Sequence, residues 1–344
     1  MASTSFTREN DFEDDGSVVN RDLNSEEVVS LWNLIRLYKK LGTNEQCVAF
    51  AEENGLVHSQ KQCSTHRKPM KIAKSTNKTF GSWCCTKGNC RSKTKVPRNK
   101  GTFFENIKIE LVHVFYLLYA FSQNWSYLTT MREDPYKDDR LKSLSRVTIC
   151  DWYSYCRETI VIYQMDKTQA VGKIGGPGKI VQIDESKFGK RKYNRGRHIE
   201  GYWVLGMIED KSEDLRLEVC PNNIRSADIL LPLIQKHVEV GTIIHTDFWK
   251  AYDCLADHGY IHQKVNHSDP ENPFVAEDGT HTQRIESQWR AVKRFFKKDN
   301  YNNSENFSDH VYEYLWRRNN TKHKKDPFLE LIKAVKYVYK LNTD

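Results

Sequence analysis

Between Lys61 and Lys100 the sequence has no acidic residue at all, against twelve lysines and arginines. A local excess of this kind points to a polyanionic partner more strongly than the modest net charge of +8 does. Long apolar runs are missing too. The longest, Leu111 to Phe121, contains His113 and falls well short of the ~20 residues needed to cross a bilayer, so no membrane partner is expected. The polar, acidic N-terminus offers no signal peptide, and the expectation is an intracellular protein. Nor do the cysteines come in an even number. Nine of them fit a reducing compartment in which thiols are free or bind metal. With 38% hydrophobic and 28% charged residues the 344-residue chain is globular, and long enough for two or three domains.

Residues 1–22 read as a disordered acidic tail, and residues 23–60 as an N-terminal helical element. There Asn24 and Glu27 could form a capping box ahead of a stripe of Val28, Leu31, Trp32, Ile35 and Tyr38. Thr43 and Gln46 could form a second box, with Cys47, Phe50 and Ala51 on one face and Gly55 as the stop. The pair could be a helix-turn-helix or a packing element. Residues 61–100 form the basic segment, with Cys63-x-x-His66 and Cys85-x4-Cys90 spaced as two ligand pairs. Four sulfur and nitrogen donors in a core-poor segment suit structural Zn²⁺, and Cys84 is an alternative to Cys85. Residues 101–170 read as helical. Phe104, Ile107, Leu111, Val114, Phe115 and Leu118 suggest one amphipathic helix, and Ser145 precedes another carrying Trp152, Cys156, Ile160 and Tyr163. The stretch from Leu141 to Trp152 could be the turn and recognition helix of a helix-turn-helix, or an ordinary helical hairpin.

After a glycine-rich linker, residues 171–300 change character. Strands are expected over 179–185, 202–208, 215–219, 242–247 and 260–265, with helices over 226–238 and 248–257. Three consecutive strands followed by alternating helix and strand argue for an α/β fold with a mixed sheet flanked by helices. Residues 301–344 read as C-terminal helices. Two strands run into carboxylates, Asp184 with Glu185 and Asp247, and charge at the end of a buried strand is costly unless compensated. Lys190, Arg191, Lys192, Arg195 and Arg197 crowd the loop after Asp184, as a phosphate-gripping segment would. The helix after Thr282 shows two stripes. Ile285, Trp289, Val292 and Phe296 are apolar, and Glu286, Arg290, Lys293 and Lys297 are polar, so docking the first aims Glu286 toward the strand ends, with Arg290, Lys293 and Lys297 trailing outward as expected DNA contacts. Two strand-end aspartates and a helix glutamate suit a pair of Mg²⁺ ions, or Mn²⁺, acting on phosphodiesters. Trp249 and Tyr252 could stack on DNA or pack.

The blocks QIDESKFGKRKYNRGR, HTDFWKAYDCL and HTQRIESQWRAVKR, in that order, resemble the signatures of Merlin-superfamily DDE transposases and their bacterial insertion-sequence relatives. The resemblance covers roughly residues 45–340. It implies an RNase H-like catalytic core, with Asp184, Asp247 and Glu286 as the DDE triad. It also implies cut-and-paste movement of a double-stranded DNA element bounded by terminal inverted repeats, in a homodimer or higher synaptic assembly. The N-terminal helical and zinc-ribbon region would recognise the element's ends. A eukaryotic host would place such a protein in the nucleus, and a bacterial one in the cytoplasm and nucleoid. A domesticated, non-catalytic DNA-binding protein, or a nuclease without strand transfer, are the alternatives. Gln283 stands where the family usually has Asn, and His66 where its ribbon usually has Cys.

Overall fold

The computed structural model describes residues 25–73, 80–87, 90, 95–136, 143–189, 201–298 and 306–341. The elements run α1 (Ser25–Ser30), α2 (Leu34–Leu41), α3 (Asn44–Glu53), β1 (Lys71–Ala73), β2 (Ser82–Cys84), β3 (Val96–Pro97), α4 (Leu111–Ser122), α5 (Tyr127–Arg132) and α6 (Arg146–Val171). They continue with β4 (Ile174–Gly175), β5 (Ile180–Phe188), β6 (Tyr202–Glu209), β7 (Leu215–Val219), α7 (Ala227–His237), β8 (Val238–Glu239) and β9 (Ile243–Asp247). Last come β10 (Ile261–Val265), α8 (Gln283–Lys298), α9 (Phe307–Lys322) and α10 (Pro327–Val338). The chain divides into two compact units, one centred on Gln164–Arg318 and the other formed by Asp15–Tyr163 with Asn319–Asp344.

In the unit formed by Asp15–Tyr163 and Asn319–Asp344, the expected Thr43–Gln46 capping box opens α3, with both reciprocal hydrogen bonds made. The helix expected before it is broken. Asn33 takes an extended conformation and its side chain accepts from the Arg36 N–H, so α2 begins afresh at Leu34. The restart rotates the buried face. Leu37 and Leu41 are buried, whereas Val28, Ile35 and Tyr38 of the expected stripe are exposed. Phe50 of α3 packs edge-on against Phe115 of α4 and stacks on Phe328 of α10, which also meets Trp32 and Tyr119. Helix α4 is shorter than expected and buried on every side rather than amphipathic. Phe104 and Ile107 precede it in a loop where Asn106 has φ +60°. Three short antiparallel strands, β1-β2-β3, make a small basic sheet whose Trp83 is buried beneath the Arg98 guanidinium. Arg98, itself buried, donates to the carbonyls of Phe80 and His58 and pairs with Glu52 of α3, fastening the sheet to the helices.

The other unit is built on a five-stranded mixed sheet of order β10-β9-β5-β6-β7. Strands β5, β6 and β7 form an antiparallel meander, then β9 pairs parallel to β5 and β10 parallel to β9. The expected strands all appear within a few residues of their expected bounds; the segment expected as a helix over 248–257 forms a 3-10 helix, Lys250–His258. Residue alternation splits the core between the two faces. Val181, Ile183, Leu205, Met207 and Ile244 face α7 and the 3-10 helix, where Leu230, Ile234, Tyr252 and Leu255 complete one cluster. Phe188, Val204, Ile208, Leu215 and Leu217 face the other way, onto Ile285, Trp289, Val292 and Phe296 of α8. The apolar stripe of α8 therefore docks as expected. Each such fully buried side chain contributes about 1.5–3 kcal/mol by leaving water.

Candidate active site

Strand β5 does not end at Asp184. It runs on to Phe188 in register with β6, with Asp184 opposite Gly206. Its pairing with β9, however, stops at Gln182↔His245. Carried two residues further, that register sets Asp184 and Asp247 alongside each other, at the place where the two strands part. On the far side of β9, Asp247 is in register with Val265 of β10. Asp184 lies on the α8 face, while Glu185, one residue on, lies on the opposite face with Tyr252.

Helix α8 is joined to β5 at two points. Gln182, wholly buried, accepts through Oε1 from the N–H groups of Arg284 and Ile285 at 3.0 and 3.4 Å, filling places left open at a helix start. A turn later, Trp289 Nε1 donates to Asp184 Oδ2 at 2.8 Å. Between these two points, Thr282 donates its hydroxyl to Glu286 Oε1 at 2.6 Å. The indole reaches Asp184 because Gly206 lies beneath it. A Cβ there would stand 2.7 Å from two Trp289 ring carbons and 2.8 Å from Ile285 Cδ1. Gly206→Ala is expected to cost about 1–3 kcal/mol through this overlap, and to lower any activity that depends on Asp184. Chemical denaturation checks the first effect. A variant as stable as wild type would show that the helix does not bear on this glycine.

The acids are electrostatically perturbed. Burial pushes the Asp184 carboxyl up to about 6; the Trp289 hydrogen bond opposes this, and the charges of Asp247 and Glu286 add to it. Burial likewise raises Glu185 from 4.5 to about 7, against the Tyr252 hydrogen bond and with the charges of Asp184 and Asp247 adding to it. Arg225 Nη1, 3.8 Å from Glu185 Oε2, compensates only in part. The charges of Asp247 and Glu286 reach Asp184, and carboxylate oxygens are the donors that a hard divalent cation such as Mg²⁺ or Mn²⁺ takes. Among the described residues, however, the group of three or more side chains close enough together to hold an ion is the cysteine and histidine cluster of the other unit.

A pH dependence follows for metal-free protein. Both carboxyls hold their proton in the folded state over a range in which the unfolded chain has lost it, so the resulting stability is full below about pH 4. It is lost as pH rises through about 6 to 7. The melting temperature of wild type is expected to fall between pH 5 and 8, and Glu185→Gln to flatten that fall. Parallel curves for the two proteins would remove Glu185 as the source.

In the basic segment of the other unit, Cys63, His66, Cys85 and Cys90 converge. Their ligand atoms all lie within 4.8 Å of one another, forming a group that could hold a metal ion. Cys63 Sγ is 3.7 Å from both His66 Nδ1 and Cys90 Sγ, and Cys85 Sγ is 3.6 Å from His66 Nδ1. Of the adjacent cysteines it is therefore Cys85, and not Cys84, that faces the cluster. Hydrogen bonds from the His66 backbone and side chain and from the Thr65 backbone lower the Cys63 thiol to about 6. Three sulfurs and one imidazole nitrogen suit Zn²⁺.

An "uncharacterized transposase-like protein" of Haemophilus influenzae is 33% identical over 99 residues, covering 29% of this chain and 76% of that protein. The chain belongs to a transposase family. Residues 170–319 match the ISXO2-like transposase domain, a span that holds the whole five-stranded sheet, Asp184, Asp247 and Glu286. Among solved structures, the catalytic core domain of BIV integrase is 14% identical, covering 48% of this chain and 86% of that one, with a TM-score of 0.22. A chain of the simian T-cell lymphotropic virus intasome, solved with the PP2A regulatory subunit B56 gamma, is 12% identical, covering 55% and 63%, also with a TM-score of 0.22.

Of the transposase's expected DNA contacts, Arg290, Lys293 and Lys297 are exposed along α8. Lys293 reaches the surface but its amine is partly enclosed, which lowers it, while the nearby charge of Asp184 holds it up. Lys190, Arg191, Lys192, Arg195 and Arg197 lie outside the described residues, as do the acidic tail, Asn24, and Leu141 with Lys142. Tyr252 packs and is buried, while Trp249 is half-buried under Arg225, whose guanidinium carbon sits 4.7 Å from its ring and 4.0 Å from that of Trp203. Sequence reasoning missed Gln182, Gly206 and the Trp289 to Asp184 bond. The polar Gln182 inside an apolar strand was the one available signal.

Proposed function

We propose that this protein is a Merlin-type DDE transposase that cuts DNA at terminal inverted repeats and joins the freed ends to target DNA. Asp184, Asp247 and Glu286 are its catalytic triad. The observation that supports this reading is the β5–β9 register, which carried two residues further sets Asp184 alongside Asp247, together with the charges of Asp247 and Glu286 acting on Asp184. The strand order, three antiparallel strands followed by two parallel ones on the β5 side, supports an RNase H-like core.

In this reading the three carboxylates hold Mg²⁺ or Mn²⁺, which when bound activates the attacking oxygen and stabilises the leaving one. The chain's own residues do the positioning. Gln182 and Trp289 fix α8 against β5, so Glu286 keeps its place relative to Asp184 without being ordered by the substrate. Lys293, on the same helix as Glu286 and close to Asp184, offsets phosphate charge near the scissile bond. Zn²⁺ in the Cys63, His66, Cys85, Cys90 cluster holds a basic ribbon that, with the N-terminal helices, recognises the element's ends. Two ends must meet for cut-and-paste movement, which calls for a homodimer or larger synaptic assembly. The working compartment is the one that holds the DNA, the nucleus in a eukaryotic host.

Joining of a pre-cleaved end to target DNA in Mg²⁺ tests the reading. Strand-transfer product supports it; cleavage without joining points to a nuclease, and binding without either to a non-catalytic DNA-binding protein. The cations from Lys190 to Arg197 have a separate test, since they are assigned to phosphates rather than bases. Neutralising Arg191 and Lys192 together is expected to weaken binding to specific and unrelated duplexes alike. It should also flatten the log–log salt dependence by about 0.9 for each phosphate that is no longer neutralised. An unchanged slope would remove this loop from the DNA interface.

A further inference from the structure

We propose that Arg225 and Lys187 form a phosphate-binding pair that grips the DNA backbone beside the catalytic edge; the inference rests on the transposase reading given above. Lys187 is the register partner of Trp203 across β5 and β6, and alternation puts it on the same sheet face as Glu185. Its Nζ lies 5.7 Å from the centre of the Trp203 ring. The Arg225 guanidinium carbon sits 4.0 Å from the same ring and 4.7 Å from that of Trp249. Two cations thus converge on one indole. Trp249 in turn donates its N–H to Asp247 Oδ1 at 3.1 Å, and Glu185, 3.8 Å from Arg225, is the residue after Asp184. Through these two links the pair is tied to both strands that carry the aspartates.

The surroundings hold the guanidinium still while leaving its donors open. Asn222 and Asn223 turn the chain ahead of Arg225 in the left-handed region, at φ +52° and +58°, which asparagine tolerates better than most residues. The Asn223 side chain locks that turn to the start of β6, accepting from the Trp203 N–H at 2.7 Å and donating to the Gly201 carbonyl at 2.8 Å. Contact with two half-buried indoles then restrains the guanidinium. Glu185 does not use up its donors, because 3.8 Å is too long for a hydrogen bond and Glu185 Oε1 already accepts from Tyr252. Among the described residues neither Arg225 nor Lys187 donates a side-chain hydrogen bond, and Glu185 is the one carboxylate paired with either. The Arg225 side chain is 42% exposed, and Lys187 is exposed as well. Two positive charges on one ring with a single carboxylate beside them leave one uncompensated. A phosphodiester supplies both the missing charge and the oxygens that a restrained guanidinium fork pairs with.

The test measures binding of the full, Zn²⁺-loaded chain to a random-sequence duplex over a salt series, without Mg²⁺, so that no step of catalysis enters. Arg225→Gln and Lys187→Gln are each expected to flatten the log–log salt dependence by about 0.9, the value of one phosphate contact. Arg225→Lys, which keeps the charge, should retain the wild-type slope. So should Lys236→Gln, which removes an α7 cation paired with Glu218. A wild-type slope in Arg225→Gln would overturn the proposal and leave the catalytic triad standing. Equal flattening by Lys236→Gln would also overturn it, since the slope would then follow total charge alone, and flattening by Arg225→Lys would trace the loss to packing instead. Thermal melts accompany the isotherms; should Arg225→Gln lose its fold, Lys187→Gln, at an exposed strand position, decides alone. A wild type that binds no duplex would overturn the transposase reading together with the pair.

Discussion

Asp184→Asn is expected to abolish cleavage while making the metal-free protein more stable. The carboxyl is largely buried, and its ionised form is disfavoured by that burial and by the charges of Asp247 and Glu286. An asparagine oxygen can still accept from Trp289 Nε1, so the link between β5 and α8 survives. The charge that would help hold the cation does not. Loss of a metal-held transition state worth several kcal/mol corresponds to a fall of roughly three orders of magnitude or more in rate. Removing a buried, repelled carboxylate should raise the melting temperature at neutral pH, and binding to duplex DNA should stay close to wild type. Steady-state cleavage, a thermal melt and a binding isotherm measured on one preparation check all three. Wild-type turnover in Mg²⁺ would remove Asp184 from the catalytic set. Lost activity with a lowered melting temperature would instead mean that the substitution had disturbed the sheet.

Cys90→Ser or Cys63→Ser is expected to release Zn²⁺ and unfold the basic ribbon. The three strands there hold only two or three residues each, far too few to be stable alone. Phe80 and Trp83 are buried, but among the described residues the small sheet has little other core. Structural Zn²⁺ supplies on the order of 10–16 kcal/mol in comparable small modules, and that free energy is folding free energy. Arg98 would keep the ribbon tethered through Glu52 and the His58 carbonyl, so the rest of the unit should stay folded. Elemental analysis should find one zinc per wild-type chain and none in either variant, with proteolysis opening between Lys61 and Lys100. Cys84→Ser should retain the ion, since Cys84 lies outside the cluster. A zinc-free wild type that still bound repeat DNA would contradict the assignment.

The parts of this fold that were legible in the sequence are those set by local periodicity. The alternation of Leu215–Val219, the apolar run of β9 into Asp247 and the double stripe of α8 each encode one face and one direction. The bounds of all five strands followed within a few residues. Failures came where partners lie far apart in the chain. Nothing near Asp184 announces that β5 continues to Phe188, because its extension depends on β6, whose pairing partner for Asp184 is Gly206. The bond from Trp289 to Asp184 spans 105 residues, and the Gln182 cap on α8 spans 102. Glu185 reads beside Asp184 as a second candidate acid, yet pleating alone sends it to the other face, to Tyr252 and Arg225. In the N-terminal helices an apolar stripe outweighed Asn33, although a side-chain cap of that type is enough to end one helix and start the next.

The most direct test is a crystal structure of the full chain soaked in Mn²⁺, with data collected to record anomalous scattering from the ion. An anomalous peak is expected at the sheet edge, coordinated by Asp184, Asp247 and Glu286, with Trp289 still bonded to Asp184. A map with manganese elsewhere, or with one of the three carboxylates turned away from it, would contradict the triad on which the transposase mechanism rests.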